Sequence, residues 1–371
     1  MLKNFYPIEY LEKKLISKEN RFKLKNEEIK QIKKKFNNST LFVIGAAGSI
    51  GSKFVLKILN YKFKKIYLLD KDENQLTELN RNINEINKKK NIEYICNDII
   101  FFDVLNFIKK NKINHILNFS ALKHVRSEEN IFSLEYMLRV NSIFFLNHKF
   151  PRFVKSVFSV STDKVVKPTS FLGISKKLME FVLHDIKKTN SKIHVSSARF
   201  ANVSFSNGSI LKSIFDRVLS NKVCGVPSNI NRYFITHSEA TSICLISLIE
   251  ENNGYTVVLK ESEKIKKQNI KKLTFKIISI LNKNYNKIKI LNSITQGQKK
   301  IEDLKDESEI YENIKYNKNL IKTKLVASKE IKKIKSYFLK NNIYKNQKKI
   351  AKLIYKDFIE KVTKTKLSKN I

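Results

Sequence analysis

A glycine-rich turn between an apolar run and a helix is the feature that most constrains the fold of this chain. Residues 41–44, Leu-Phe-Val-Ile, predict a buried strand, and residues 45–51 read Gly-Ala-Ala-Gly-Ser-Ile-Gly. Glycines at this junction permit a tight turn, a close approach of the backbone to a pyrophosphate and close helix packing. The amino end of the following helix would face the same negative charge. This Gly-x-x-Gly-x-x-Gly turn therefore predicts the first βα unit of a dinucleotide-binding sheet.

The segments after this turn alternate between apolar runs and helical patterns. Strands are predicted at 65–69, 92–96, 115–119 and from 157, and helices at 49–59, 75–87, 104–110 and 136–146. Strands that alternate with helices imply βαβ units and a parallel sheet. The predicted fold class is α/β, a Rossmann-type doubly wound parallel sheet with a smaller mixed C-terminal substrate lobe and N-terminal helices.

The chain divides into four predicted segments. Residues 1–38 predict amphipathic helices, and residues 39–207 predict the dinucleotide-binding Rossmann domain. Residues 208–328 predict mainly a substrate-binding lobe with some return to the sheet, and residues 329–371 predict a lysine-rich helical tail. In such sheets ligands bind beyond the carboxyl ends of the strands, so chemistry is expected at that edge.

Acidic residues at the ends of the second and third strands complete the predicted cofactor site. Asp70 follows the turn by about 20 residues, where a carboxylate accepts a ribose hydroxyl, and Asp98 is placed to meet the adenine. Lys71 is able to accept a 2′-phosphate, so the sequence leaves NAD and NADP both open. The candidate cofactor-binding residues are Gly45, Gly48, Ser49, Ile50, Gly51, Asp70, Asp98, Ile99, Ser120, Ala121 and Lys176.

The formal net charge of +39 invites a nucleic-acid or anionic-membrane interpretation, and the composition argues against it. The basic residues are overwhelmingly lysine, with only eight arginines, whereas nucleic-acid readers usually need arginine forks at base edges. We therefore expect no specific nucleic-acid partner and lysines on solvated faces. No run of about 18 apolar residues exists, so no membrane insertion is expected.

The three cysteines, Cys96, Cys224 and Cys244, lack the spacing of metal ligands, and no metal site is predicted. Each lies in an apolar context, which predicts buried free thiols in a reducing, cytoplasmic compartment. The first residues of the chain form no uninterrupted apolar segment, so no signal peptide is expected.

A hydroxyl, a carboxylate and an ammonium follow one another at the end of the apolar strand that begins at residue 157. Residues 161–164 read Ser-Thr-Asp-Lys, and a helix that opens near Gly173 carries Lys176. Because this segment ends a strand of the predicted sheet, these groups are expected at the edge where ligands bind.

Four separated blocks point, in consistent order, to one protein family. They are Asn-Phe-Ser-Ala-Leu-Lys-His-Val-Arg-Ser-Glu from 118, Ser-Thr-Asp-Lys from 161, Arg-Phe-Ala-Asn-Val from 199 with Gly-Ser at 208–209, and Arg-Tyr-Phe-Ile-Thr from 232 with Glu-Ala at 239–240. Together with the glycine turn, they resemble the extended short-chain dehydrogenase/reductase superfamily. Within it they resemble the bacterial UDP-N-acetylglucosamine 4,6-dehydratases of polysaccharide biosynthesis, over about residues 38–305.

The resemblance implies a redox-neutral reaction on a UDP-sugar. The 4-hydroxyl is oxidised as hydride passes to NADP or NAD, water is eliminated across C-5 and C-6, and hydride returns to C-6. The cofactor is then tightly bound and recycled, and a homo-oligomer is expected. The exact sugar and the configuration at C-5 stay open.

The same resemblance implies roles for four catalytic candidates. Asp163, protonated, would serve the leaving C-6 hydroxyl, and Lys164 would move the C-5 proton or stabilise the enolate. We expect a confined pocket and a neighbouring positive charge to depress the pKa of Lys164. Thr162 would bond the 4-oxygen, and Lys176 the nicotinamide ribose. The candidate substrate-binding residues are Lys123, Asn202, Ser209 and Arg232.

Departures from the family pattern keep two alternatives open. Leu172 stands where the superfamily usually has its tyrosine base, and residues 295–299 resemble a degraded Arg-Pro-Gly-Glu-Lys element. The alternatives are a nucleotide-sugar epimerase on the same scaffold and a non-catalytic NAD(P)-binding regulatory protein. The Thr-Asp-Lys triplet favours dehydration, because 4-epimerisation needs no acid for a C-6 hydroxyl. Arg199 fits either a ligand contact or a buried structural ion pair.

Overall fold

The computed structural model describes residues 7–86, 91–124, 127–128, 130–143, 149–251, 253–281, 284–291, 299, 301–339 and 343–354. The helices are α1 Ile8–Leu15, α2 Asn26–Phe36, α3 Ser49–Ile58, α4 Glu73–Glu85, α5 Val104–Lys110, α6 Ile131–Leu138, α7 Phe171–Thr189, α8 Ile210–Leu219, α9 His237–Ile249, α10 Ile270–Ile280, α11 Ile331–Leu339 and α12 Ile343–Ile354. The strands are β1 Thr40–Ile44, β2 Lys65–Asp70, β3 Ile92–Cys96, β4 His115–Asn118, β5 Ser156–Thr162, β6 His194–Phe200, β7 Asn202–Val203, β8 Cys224–Pro227, β9 Asn231–Arg232, β10 Phe234–Ile235, β11 Tyr255–Leu259, β12 Gln268–Asn269, β13 Ile288–Leu291, β14 Tyr311–Asn313 and β15 Leu320–Lys324.

Nine strands form one sheet in the order β14-β15-β11-β6-β5-β4-β1-β2-β3. Neighbouring strands from β3 to β11 are parallel, and β15 and β14 extend the sheet as antiparallel strands. The strand order reverses between β1 and β4, which is the point where open α/β sheets bind ligands. The predicted Rossmann-type sheet is therefore confirmed.

Helices cover both faces of this sheet, which explains why its central strands read as unbroken apolar runs. Every residue of β1 and β4 is buried. One hydrophobic cluster joins α2, α3 and α9 to one face, and a second joins α5, α6 and α7 to the other. Because both faces of the sheet are covered, ligands are expected to reach it beyond the carboxyl ends of its strands.

A third hydrophobic cluster forms the smaller lobe. It packs α8 and α10 with the parallel pair of β8 and β13. Leu11 and Leu15 of α1 belong to this cluster, whereas Ile32 and Phe36 of α2 belong to the core beside the sheet. The N-terminal segment therefore contributes to two cores.

Several local predictions differ from the structure. The helix predicted at 136–146 begins at Ile131, and residues Arg139–Ile143 continue it as a π-helix; residues 144–146 lie outside the described part. The tail predicted as helical over 329–371 contains α11 and α12, and residues 355–371 also lie outside that part. Over the described ranges, no helix has the length and apolarity needed to cross a bilayer.

The prediction of a buried thiol at Cys96 was wrong. Cys96 is exposed, whereas Cys224 and Cys244 are buried free thiols. The reason is that Cys96 ends β3, which is the edge strand of the sheet and is only partly covered.

A buried ion pair fastens the N-terminal segment to α9. The guanidinium of Arg21 donates to Glu239 at 2.7 and 2.8 Å, and the two side chains are 9% and 0% exposed. The Glu239 carboxylate also accepts from the backbone nitrogens of Arg21 and Thr236. Removing one partner of such a pair leaves an uncompensated buried charge, which is strongly destabilising.

We therefore expect Arg21→Met to lower the free energy of unfolding by about 3 kcal/mol. Arg81→Met is the matched control, because the Arg81–Glu78 pair is 66% and 56% exposed and should change stability by less than about 1 kcal/mol. Urea unfolding followed by circular dichroism gives both values. Equal losses in the two variants would contradict a structural role for the Arg21 pair.

Candidate functional site

The glycine turn at the end of β1 is built as the sequence predicts. Gly45 has a φ of +71°, and a Cβ there would lie 2.6 Å from the backbone nitrogen of Ser120. A Cβ on Gly51 would lie 2.1 Å from the carbonyl oxygen of Gly45. A Cβ on Gly48 would lie 3.5 Å from the same oxygen, which is an ordinary contact. Gly45 and Gly51 are thus required by the fold itself, whereas Gly48 has space that the fold does not fill.

Asp70 and Asp98 lie at the carboxyl ends of the neighbouring strands. One oxygen of Asp70 accepts a hydrogen bond of 2.9 Å from the backbone nitrogen of Ala47, inside the turn. Asp98 accepts hydrogen bonds from the backbone nitrogen of Ile100 and the hydroxyl of Tyr136. Ile99 is buried beside Asp98. The space at Gly48, the amino end of α3 and the Asp70 carboxylate at the end of β2 fit a dinucleotide.

Lys176 of α7 reaches the ends of β4 and β5. Its ammonium donates to the carbonyl oxygen of Val160 at 3.1 Å and to that of Ser120 at 3.4 Å. Ser120 itself donates to Asn118, and Ala121, which follows it, is exposed. Burial lowers the pKa of Lys176 to about 7, against an opposing effect of Glu180. The structure thus brings Lys176 and Ser120, two predicted cofactor residues, together at the switch point.

The triplet at the end of β5 forms one hydrogen-bonded cluster. The Thr162 hydroxyl donates to Oδ1 of Asp163 at 2.9 Å, and the Lys164 ammonium lies 3.3 Å from the same oxygen. Asp163 is 1% exposed. Burial raises its pKa, the Lys164 charge lowers it and the Glu302 charge raises it, with a net rise. The net shift is towards the protonated carboxyl, the form that an acid needs.

The expected depression of the Lys164 pKa was wrong. Burial lowers this pKa, but the carboxylates of Asp163 and Glu302 raise it, and the net shift is upward. The expectation failed because it counted a positive neighbour and missed a second negative one. Lys164 is therefore an ammonium rather than a free base.

Glu302 is a site residue that sequence reasoning missed. One of its oxygens lies 3.2 Å from the Lys164 ammonium and 3.5 Å from Nε of Arg232. It follows Lys299 by three positions, just beyond the degraded element at 295–299. Residues 295–298 lie outside the described part, and the ammonium of Lys299 donates to the carbonyl oxygen of Val166. The available signal was an acidic residue three positions after the degraded element.

The other predicted substrate residues surround the same edge. Lys123 donates to the Ser206 hydroxyl at 3.3 Å, and Asn202 donates to the carbonyl oxygen of Tyr233 at 3.3 Å. Ser209 caps the amino end of α8. The loop that carries Ser206 and Asn207 contacts the glycine turn, because the backbone nitrogen of Asn207 donates to the Ser49 hydroxyl at 2.9 Å.

Arg199 belongs to a structural ion pair. Its guanidinium lies 2.7 Å from Glu180 and 2.6 Å from Glu309, and all three side chains are buried. Of the two interpretations of Arg199, the contacts support the buried ion pair.

Two further residues order the amino end of α7, which carries Leu172 and Lys176. Asn141, in the π-helical stretch, accepts from the backbone nitrogen of Leu122 and donates to the Ser175 hydroxyl. The Glu128 carboxylate accepts from the backbone nitrogens of Phe171 and Leu172 at 2.9 and 2.8 Å. Glu128 closes the first resemblance block, yet the sequence shows no partner for it. Leu172 is buried, one turn before Lys176.

Comparisons with known proteins find one matching family model and a related protein. A family model described as "Polysaccharide biosynthesis protein" matches residues 41–324. The capsular polysaccharide biosynthesis protein CapD of Staphylococcus aureus is 27% identical over 299 residues, which are 77% of this chain and 48% of that protein. The chain thus spans about half the length of this relative.

Two solved structures share the fold. The structure of Pen from Bacillus thuringiensis has a TM-score of 0.62 at 20% identity, and the match covers 82% of this chain and 99% of Pen. The UDP-glucuronic acid 4-epimerase of Bacillus cereus, in complex with UDP-glucuronic acid and NAD, has a TM-score of 0.58 at 18% identity. That match covers 70% of this chain and 88% of the epimerase.

The Glu128 carboxyl should make stability depend on pH. Burial raises its pKa from 4.5 to about 7, although the two backbone hydrogen bonds lower it. Between these values the folded state binds the extra proton, so the Glu128 contribution to stability is present at low pH and is lost as pH rises towards 7.

We expect the unfolding free energy of the native protein, minus that of Glu128→Gln, to fall by about 2 kcal/mol from pH 5 to pH 8. Urea unfolding at both pH values measures it, and other titrating groups cancel in the difference. Glu27→Gln, which removes an exposed carboxylate, should give a nearly constant difference. A constant difference for Glu128→Gln as well would refute the raised pKa.

Proposed function

Because the chain belongs to the family of polysaccharide biosynthesis proteins, we propose that it is a nucleotide-sugar 4,6-dehydratase. The proposed substrate is UDP-N-acetylglucosamine, and the product is the 4-keto-6-deoxy sugar used in surface-glycan synthesis. The observation that carries the proposal is that the buried Asp163 carboxyl lies beside the Lys164 ammonium at the ligand-binding edge of the sheet. We further propose a cytoplasmic homo-oligomer, as the family resemblance implies.

The residues that would hold NAD or NADP are those of the glycine turn, Asp70, Asp98, Ser120 and Lys176. When bound, this cofactor accepts a hydride from C-4 of the sugar and returns it to C-6. Because burial lowers the pKa of Lys176 to about 7, both the amine and the ammonium form are accessible near pH 7. Either form is suited to donate a hydrogen bond to the cofactor. Thr162 is suited to hydrogen-bond the oxygen at C-4.

Asp163 and Lys164 divide the elimination step between them. Asp163, whose pKa burial raises, donates its proton to the C-6 hydroxyl as water leaves. The C-5 proton passes to the other carboxylate oxygen of Asp163, so that the acid is regenerated as water leaves. Lys164 remains an ammonium and stabilises the negative charge that develops on the 4-oxygen in this step. Arg232, Lys123, Asn202 and Ser209 are proposed to bind the diphosphate and the nucleoside.

The experiment that tests this function is incubation of the purified protein with UDP-N-acetylglucosamine, followed by mass spectrometry and NMR of the sugar. Loss of one water together with a C-4 ketone is the expected result. A sugar of unchanged mass with inverted C-4 would instead indicate the epimerase, an alternative that the likeness to the Bacillus cereus enzyme favours. No turnover, with dinucleotide and UDP-sugar still bound, would indicate the regulatory alternative.

Gly48→Val separates cofactor binding from folding. A branched side chain at 48 fills the space left for a pyrophosphate, whereas Gly51→Val forces a side chain against the carbonyl of Gly45. Gly48→Val should keep the melting temperature within a few degrees and release no NAD(H) or NADP(H) on denaturation. Gly51→Val should not fold stably. A Gly48→Val protein that still releases bound dinucleotide would contradict the assignment.

Asp163→Asn tests the proposed acid. The amide keeps the size and removes the transferable proton, so hydride removal at C-4 should survive as a transient reduced-nicotinamide absorbance. Water elimination should slow by roughly 100-fold or more. Stopped-flow absorbance and product analysis measure the two steps. Asp216→Asn is the control, because the Asp216 carboxylate is exposed and pairs with Lys212 at the surface. Dehydration at the native rate in Asp163→Asn would place the acid elsewhere.

A further inference from the structure

Lys164 lies between two buried carboxylates. Its ammonium is 3.3 Å from Oδ1 of Asp163 and 3.2 Å from Oε1 of Glu302. Asp163 is 1% exposed and Glu302 is 3% exposed. The two acids come from distant parts of the chain and meet on a single cation.

Each carboxylate also has one oxygen without a hydrogen-bond partner among the described residues, Oδ2 of Asp163 and Oε2 of Glu302. A buried ionised carboxylate normally has its oxygens paired, because a missing partner costs its full desolvation. Two acids that share one ammonium, each with an unpaired oxygen, fit a site in which one of them holds a proton.

The surrounding charges decide which acid holds the proton. Arg232 Nε lies 3.5 Å from the same Glu302 oxygen that contacts Lys164, so Glu302 faces two cations. Asp163 faces Lys164 and the Thr162 hydroxyl. Lys299 and Asp303 add a cation and an anion at the rim, 3.9 Å apart. Glu302 is therefore the better counter-ion, and Asp163 the better proton carrier.

We propose that Glu302 is a positioning residue of this site: its carboxylate holds Lys164 and Arg232 in place and lets Asp163 keep its proton. Without Glu302, Asp163 would be the remaining counter-ion of Lys164 and would ionise. The directions of the shifts agree, since Glu302 raises the pKa of Asp163 while Lys164 lowers it. The use of the Asp163 proton in catalysis rests on the proposed function, whereas its protonation state does not.

Glu302→Gln tests the inference, because the amide keeps the size and removes the charge. The carbonyl band of protonated Asp163 is assigned by infrared spectroscopy as the band that Asp163→Asn lacks. In the native protein this band should persist at pH 7. In Glu302→Gln its midpoint should move down by about one pH unit or more.

Glu307→Gln is the matched control. It removes the same charge from the same region, but the Glu307 side chain is 92% exposed and pairs with exposed Lys167, so the Asp163 midpoint should not move. Glu302→Asp keeps the charge, so Asp163 should stay protonated at pH 7 in this variant. If Glu302→Gln does not fold, Glu302→Asp decides whether the role proposed for Glu302 stands.

An unchanged Asp163 midpoint in Glu302→Gln, or an ionised Asp163 in Glu302→Asp, would overturn the inference. If the native protein dehydrates UDP-N-acetylglucosamine, the alkaline side of the kcat pH profile should hold its maximum to a higher pH in Glu302→Asp than in Glu302→Gln, because the general acid must keep its proton. If it turns nothing over, the proposed function fails while the infrared titration still decides the role of Glu302.

Discussion

The parallel sheet brings the carboxyl ends of its strands to one edge, and every part of the candidate site depends on this constraint. The end of β1 presents the glycine turn, the end of β2 presents Asp70, and the end of β5 presents Asp163. The strand order reverses between β1 and β4, and open α/β sheets bind their ligands at such a point. A chain with few glycines places three of its eight in this turn, where two of them are required by close backbone contacts.

Burial then gives these groups their chemistry. The same low-polarity environment raises the pKa of Asp163 and lowers the pKa of Lys176 to about 7. Lys164 escapes this effect because two carboxylates surround it. Arginine is used sparingly in this lysine-rich chain, and Arg21, Arg199 and Arg232 each meet a buried glutamate. A planar guanidinium suits such buried pairs better than a lysine ammonium.

The sequence was sufficient for the features that depend on local order. The glycine turn, Asp70, the Thr162–Lys164 cluster and Lys176 all lie at strand ends or helix starts, whose positions follow from apolar periodicity. Glu302 and Glu128 could not be placed in this way, because their partners lie far away in the chain and only tertiary packing brings them together. The same limit explains the wrong expectation for Lys164, whose second carboxylate, Glu302, lies far away in the chain. Cys96 was misplaced because periodicity does not distinguish an edge strand from a central one.

The fate of the hydrogen at C-4 of the sugar tests the central claim most directly. UDP-N-acetylglucosamine carrying deuterium at C-4 would be converted by the native protein, and the product examined by NMR. The account predicts a 4-keto product in which the deuterium is found at C-6, because one enzyme-bound cofactor removes and returns the same hydride. Deuterium that stays at C-4 of an epimerised sugar, or a protein that binds the substrate without converting it, would contradict the account.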